Sequence, residues 1–151
     1  MILLRDGEVL IISNLGYTPE RGDIVVVEDY TTLLKKPIVK RVIALEGQKV
    51  RIDRRGVWVD GMFVQEPYVY TNNLSYTYST TPSEALKENP TLTVAPGLYY
   101  EFIVPEGELF IMGDHRNDST DSRDIGTVRE DAVLGKVVLR VYPFSKFGKV
   151  E

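Results

Sequence analysis

The chain contains no cysteine, and its single histidine is His115. Without thiols there are no disulfides, no thiol catalysis and no Cys-based zinc sites. One imidazole is too few for the His-rich ligand sets that hold catalytic zinc. Alanine, the strongest helix former, occurs only 4 times, against 19 valines and 10 isoleucines in 151 residues. Long hydrophobic runs are missing as well. The cleanest, Met1-Ile2-Leu3-Leu4 and Val9-Leu10-Ile11-Ile12, have four residues, whereas a membrane-crossing helix takes about 20. No signal-peptide pattern is present. Lysine and arginine number 18 against 22 acidic residues, a net charge of −4 with no basic block, which argues against a broad nucleic-acid footprint. Neither G-x-x-x-x-G-K nor G-x-G-x-x-G occurs, so no phosphate-cradling loop is expected. With cofactor and metal chemistry set aside, side-chain acid–base or nucleophilic chemistry, or peptide binding, remains.

What is there points to β-structure. The Val and Ile excess and 9 tyrosines favour strands, and short apolar runs alternate with turn signals, as in an all-β barrel or sandwich. Strands are expected at 9–13, 23–28, 38–45, 49–53, 57–59, 98–104, 109–112 and 134–142. Arg54-Arg55-Gly56 and Asp60-Gly61 bracket Val57-Trp58-Val59, which reads as a hairpin. Residues 70–96 break the rhythm with Thr, Tyr, Ser, Asn and Pro, and read as a long surface excursion from an inserted β-lobe. Their one helical piece is expected at 82–88, with Thr81 as a cap. The length fits one domain, or one with an inserted lobe, and suffices for a core without staples.

Four segments have a composition that chemistry could use. In Ile38-Val39-Lys40-Arg41-Val42-Ile43, strand alternation puts Lys40 on one face with Ile38 and Val42, and Arg41 on the other with Val39 and Ile43. A lysine on an apolar face loses solvation, which disfavours the charged form and creates a general base. Alternatively, Lys40 snorkels to water. The polar run from Gly113 to Asp124 follows an apolar strand; it is a solvated loop, a calcium loop or a functional loop on a rigid scaffold. Arg116 and Thr120 interrupt the calcium pattern. Asp121 and Arg123, two apart, would project to one side of an extended segment and pair. Arg21-Gly22-Asp23-Ile24-Val25-Val26-Val27 is either a core strand or an edge for an extended peptide. Phe144 and Phe147, beside Lys146 and Lys149, suit a membrane interface or a tail folded on the core.

Taken in order, these segments resemble bacterial type I signal peptidases, membrane-bound serine proteases that remove signal peptides from exported proteins. Arg21-Gly22-Asp23-Ile24-Val25-Val26 is similar to the family's RGDIVV strand, and Val39-Lys40-Arg41-Val42-Ile43 to its lysine box. Gly113-Asp114-His115-Arg116-Asn117-Asp118-Ser119-Thr120-Asp121-Ser122-Arg123 resembles its most specific signature, G-D-N-R-x-x-S-x-D-S-R. The resemblance implies a coiled, barrel-like β catalytic core at 1–53 and 105–151, with an inserted β-lobe at 54–104 carrying the loop 70–96. It implies Lys40 as the general base of a Ser/Lys dyad, oriented by Ser119 and supported by Asp121 and Arg123, with Asp114 and Arg41 as structural members. The substrate would be a signal peptide, lying extended near Ile38, Val39, Ile24 and Val25, its small residues in shallow apolar pockets. Phe144 and Phe147 would touch the membrane surface. The protein would act at the extracytoplasmic face of the plasma membrane, held by an N-terminal transmembrane helix.

The departures are specific. His115 replaces the usual Asn, Ile125 the common Trp, and Ala44, Glu46 and Gln48 the usual Gly, Pro and Asp; none removes a dyad group. The family's nucleophile box, Ser-Met-x-Pro-Thr-Leu, is matched only at its end by Leu4-Arg5-Asp6-Gly7-Glu8. Counting back, its serine falls two residues ahead of Met1. The expectation is an incomplete enzyme, cut ahead of its nucleophile and inactive alone. The alternative is a non-catalytic relative that binds peptides or assists surface-protein or pilus assembly. A LexA-like self-cleaving repressor shares the Ser/Lys chemistry, but no DNA-binding helical domain is present.

Overall fold

The computed structural model describes residues 2–5, 8–28, 37–67, 69, 76–142 and 148. Its strands are β1 (Ile2–Arg5), β2 (Glu8–Ser13), β3 (Ile24–Val27), β4 (Ile38–Leu45), β5 (Lys49–Asp53), β6 (Gly56–Val59), β7 (Met62–Phe63), β8 (Thr93–Ala95), β9 (Tyr99–Ile103), β10 (Glu108–Met112), β11 (Val128–Arg129) and β12 (Val133–Tyr142). Two one-turn helices, α1 (Glu84–Lys87) and α2 (Ser122–Ile125), complete the set with a 3₁₀ turn at Glu130–Ala132. The fold is mostly β, as the Val and Ile excess predicts. Every expected strand is present within a residue or two of its expected ends.

The strands form two antiparallel sheets, ordered β1-β2-β12-β3-β4-β10-β11 and β7-β6-β5-β9-β8. Neither sheet closes into a barrel. Curvature comes instead from irregularities in register, at Phe110/Ile111 against β4 and at Val133/Gly135 against β3. Such bulges bend a strand and increase its local twist. At Gly135 the chains run so close that a Cβ would lie 2.5 Å from Ile12 Cγ2. A glycine is what lets long β12 cross β2 and β3 here.

The main core lies between the sheets. Val50, Ile52, Val57, Val59, Tyr100 and Phe102 pack against Ile43, Ala44, Phe110 and Met112. β3 is buried on both faces: Val25 and Val27 join one cluster and Val26 another. That explains its unbroken apolar run, since a strand covered on both sides has no polar face to alternate with. β3 is paired on one side by β12 and on the other by β4. The segment 21–27 therefore offers no open edge to a peptide, and the core-strand reading holds.

The helical piece in the excursion is shorter than expected, and its cap is Ser83 rather than Thr81. The Ser83 hydroxyl accepts from the Leu86 N–H, and Leu86 fills the inter-sheet core. Residues 70–75, and the proposed membrane contacts Phe144 and Phe147, lie outside the described residues. Among the described residues, no helix is long and apolar enough to cross a membrane.

Candidate active site

β4 carries Lys40 into a row that runs across the sheet. Ser13 on β2 faces Lys136 on β12, Lys136 faces Val25 on β3, and Val25 faces Lys40. Ile38, Val42 and Val25 belong to one apolar cluster, so Lys40 stands on an apolar face, as alternation predicts. The two amines in this row meet different partners. Lys136 Nζ lies 3.1 Å from an Asp23 carboxylate oxygen. Lys40 Nζ donates to Ser119 Oγ at 2.9 Å. An ammonium and a neutral amine both have N–H groups to donate to a hydroxyl oxygen, so this contact survives either protonation state.

Ser119 is itself held. Its hydroxyl donates to Asp121 Oδ2 at 2.9 Å. Asp121 is fully buried and also accepts from the Gly113 N–H at 2.9 Å, the Arg123 N–H at 3.1 Å, and Arg123 Nε and Nη2, each at 2.9 Å. Burial alone would push this carboxyl up. The Arg123 guanidinium and the two backbone donors outweigh it, holding Asp121 below the ordinary aspartate value. On Arg123 burial works against the charge, and Asp121 overcomes it, so the guanidinium is raised further above its ordinary range.

The Asp121–Arg123 pair exists, but not in the extended segment expected. Asp121 is the N-cap of α2, and the Asp124 carboxylate reaches back to the Asp121 N–H at 3.1 Å. This reciprocal capping box is present in the sequence as Asp-x-x-Asp, but four helical residues show no periodicity that would mark a helix after it. The cap turns both Arg123 and its backbone N–H onto one carboxylate.

Gly113 follows β10 directly and is the gap through which the site closes. A Cβ there would lie 2.1 Å from Ser119 Oγ and 3.3 Å from Lys40 Nζ. Gly113→Ala is therefore expected to force Ser119 away from Lys40 and to destabilise the fold by about 1–3 kcal/mol, the usual cost of overpacking. A crystal structure of the variant with the Nζ–Oγ distance preserved, together with an unchanged melting temperature, would contradict this.

Arg41 points to the opposite face. It grips Asp114 with Nε at 2.9 Å and Nη2 at 2.8 Å, and donates from Nη1 to the Gly22 carbonyl at 2.9 Å. This two-point clamp ties the start of the polar loop to β4 and to the turn before β3, away from the Lys40 amine. Of the residues expected near substrate, Val25 is fully buried and Ile38 partly buried beside it, while Ile24 and Val39 pack against the other cluster. β10 pairs with β4 only from Arg41 to Leu45, so Ile38 and Val39 extend past the last β10 pair.

Several members of the network were not singled out by sequence. Arg116 has a fully buried side chain and donates from Nε to the Gly113 carbonyl at 2.7 Å, and from Nη1 to Glu66 at 2.8 Å and Tyr78 at 3.1 Å. Its Nη2 closes a second contact with Glu66. The Tyr76 hydroxyl accepts from Arg123 Nη1 at 3.0 Å and donates to the Arg116 carbonyl at 3.2 Å. A cavity of about 410 Å³ lies beside them, lined by Tyr76, Ser79, Tyr100, Arg116, Ser119 and Arg123 among others. Among the described residues, no group of three or more His, Asp or Glu side chains could hold a metal ion.

The polar loop, the lysine strand and the RGDIVV strand thus meet at one place, in the order that the sequence resemblance requires. The family described as signal peptidase, peptidase S26, matches residues 2–142. Signal peptidase IB of Staphylococcus aureus is 32% identical over 149 residues, covering 95% of this chain and 73% of its own length. A probable signal peptidase I-1 of Synechocystis is 30% identical over 156 residues, covering 97% of this chain and 68% of its own length. The crystal structure of a signal peptidase I from Enterococcus faecalis superposes with a TM-score of 0.58 at 26% identity, covering 80% of this chain and 97% of that one. This chain belongs to the signal peptidase family, peptidase S26, and to its type I kind.

Proposed function

We propose that this chain carries the general-base half of a Ser/Lys endopeptidase that removes signal peptides from exported preproteins, with Lys40 as the base. The observation that carries the reading is the 2.9 Å contact of Lys40 Nζ with Ser119 Oγ, with Ser119 in turn donating to the buried Asp121. A serine hydroxyl is a poor nucleophile until a neighbouring base takes its proton. Neutral Lys40 takes that proton as the serine oxygen attacks the scissile carbonyl, then passes it to the departing amine. The resulting acyl-enzyme is opened by water, which gives its proton to Lys40, and Lys40 returns it to the departing serine oxygen. Ser119 orients the amine through both halves, and Asp121 with Arg123 fixes Ser119. Arg41 and Asp114 hold the loop in place.

The signal peptide lies extended along Ile38 and Val39, beyond the last β10 pair, as an added strand. In the family pattern the box Ser-Met-x-Pro-Thr-Leu supplies the nucleophilic serine, and its end is matched here by Leu4-Arg5-Asp6-Gly7-Glu8. The site of action is the extracytoplasmic face of the membrane.

The test adds Ser-Met ahead of Met1 and replaces Ile2 by Pro and Leu3 by Thr, which completes Ser-Met-x-Pro-Thr-Leu in the family's register, and presents a preprotein with an A-x-A cleavage site. The extended protein should cleave after that site, and residues 1–151 alone should leave the preprotein intact. Cleavage by residues 1–151 alone would overturn the assignment of the nucleophile. A folded, extended protein that binds the signal peptide without cutting it would replace the enzyme with the peptide-binding relative.

A further inference from the structure

The loop that brings Ser119 to Lys40 is held at two points by residues from outside it. Arg116 lies three residues before Ser119 and Arg123 four after it. Both guanidiniums are engaged by residues between β7 and α1. Glu66 takes Arg116 by two contacts, Tyr78 adds a third, and Tyr76 accepts from Arg123 while donating to the Arg116 carbonyl. The side chains of Arg116 and Glu66 are 0% and 8% exposed. A buried ion pair is tolerated only when its geometry is good and its remaining donors are satisfied, and here Arg116 also donates to Tyr78 and to the Gly113 carbonyl.

Two lines of contact run from this segment to the catalytic pair. One goes from Glu66 through Arg116 to the Gly113 carbonyl, and so to the residue whose missing side chain makes room for Lys40 and Ser119. The other goes from Tyr76 through Arg123 to Asp121, and so to the Ser119 hydroxyl. We propose that Glu66 and Tyr76 are positioning residues: a brace from the lobe that sets where Ser119 stands relative to the Lys40 amine. The proposal rests on the reading of Lys40 and Ser119 given above, and it assigns a role to Glu66, just ahead of the excursion, and to Tyr76 within it.

Lysine side-chain NMR on the 151-residue chain tests it without needing turnover. Ser119→Ala serves as the reference that removes the partner of Lys40. Tyr76→Phe deletes one hydroxyl and leaves the ring, and Glu66→Ala removes the carboxylate. Both are expected to shift the Lys40 Cε and Nζ resonances in the same direction as Ser119→Ala, with Tyr76→Phe still folding cooperatively. In the cleavage-competent protein, Tyr76→Phe should lower kcat and leave KM unchanged.

Lys40 resonances at their parent positions in both variants, while Ser119→Ala moves them, would overturn the brace and leave the dyad standing. If Ser119→Ala also leaves Lys40 unmoved, the Lys40–Ser119 reading falls and the brace falls with it. A raised KM at constant kcat would place Tyr76 in substrate binding and overturn its positioning role.

Discussion

Lys40→Ala in the cleavage-competent protein is expected to lower signal-peptide processing by roughly 10²–10⁴-fold, the range of general-base contributions, while the fold survives. Among the described residues, neither Lys136 nor Asp121 can stand in. Lys136 shares the row but is ion-paired to Asp23 and separated from Lys40 by Val25. Asp121 is closer to the reaction, yet its carboxylate accepts from Gly113, Ser119 and Arg123 and is held below its ordinary value, against the pull of burial. A carboxylate stabilised in that way is a poor proton acceptor. Lys40→Arg separates base from cation. A guanidinium keeps the charge and the donors but does not give up its proton, so the variant should be as inactive as Lys40→Ala. Initial rates on a preprotein, with melting temperatures as the control for folding, decide it. Appreciable cleavage by a folded Lys40→Arg protein would show that position 40 serves as a charge, and Lys40 would lose its role as the base.

That Lys40 could be singled out from sequence follows from the two-residue period of a strand. Lys40, two residues from both Ile38 and Val42, has to stand on their face, and the cluster around Val25 confirms the face. The buried run of β3 was legible for the complementary reason that both its faces are covered. Four short strands escaped. β7, β8 and β11 are too short to show alternation and are defined by their partners: Met62 by Val59, Thr93 by Glu101, Val128 by Leu109. β1 is defined in the same way, by pairing of Ile2 with Ile11 through Arg5 with Glu8. The polar loop was legible as a motif, and its internal pair Asp121–Arg123 as a spacing, but the helix cap that forms the pair was not. Glu66, Tyr76 and Tyr78 gave no signal at all. Their partners lie 38 to 50 positions away, and no local pattern in a single sequence reports a contact at that separation. The site is therefore half motif and half tertiary structure: the residues nearest the reaction are written in short boxes, and those that hold them are placed by the packing of one sheet on the other.

The same division predicts where the protein is most easily broken. Asp121→Asn preserves shape but turns an amide N–H₂ toward groups that are all donors, and leaves Arg123, only 14% exposed, without its counter-charge. Breaking a buried ion pair by removing one partner costs about 3–5 kcal/mol, a large share of the roughly 5–15 kcal/mol that holds a typical domain together. The variant should melt well below the parent at neutral pH and lose cleavage with it, since Ser119 loses its acceptor. Acid should expose the same interaction in the parent. The folded Asp121 carboxyl sits below its ordinary value, so between the folded and unfolded values the unfolded chain binds more protons, and stability rises with pH there. The contribution of Asp121 is fully present above the ordinary aspartate value and is lost as pH falls through the lower folded one. Urea unfolding of parent and variant across the acidic range measures both effects. The parent should lose stability steeply in acid, and Asp121→Asn, which has no proton to take up at this position, should lose less, so that the two converge at the lowest pH. Parallel curves with equal stability at neutral pH would show that the Asp121–Arg123 pair contributes nothing to the fold, and the support assigned to Ser119 would have to come from elsewhere.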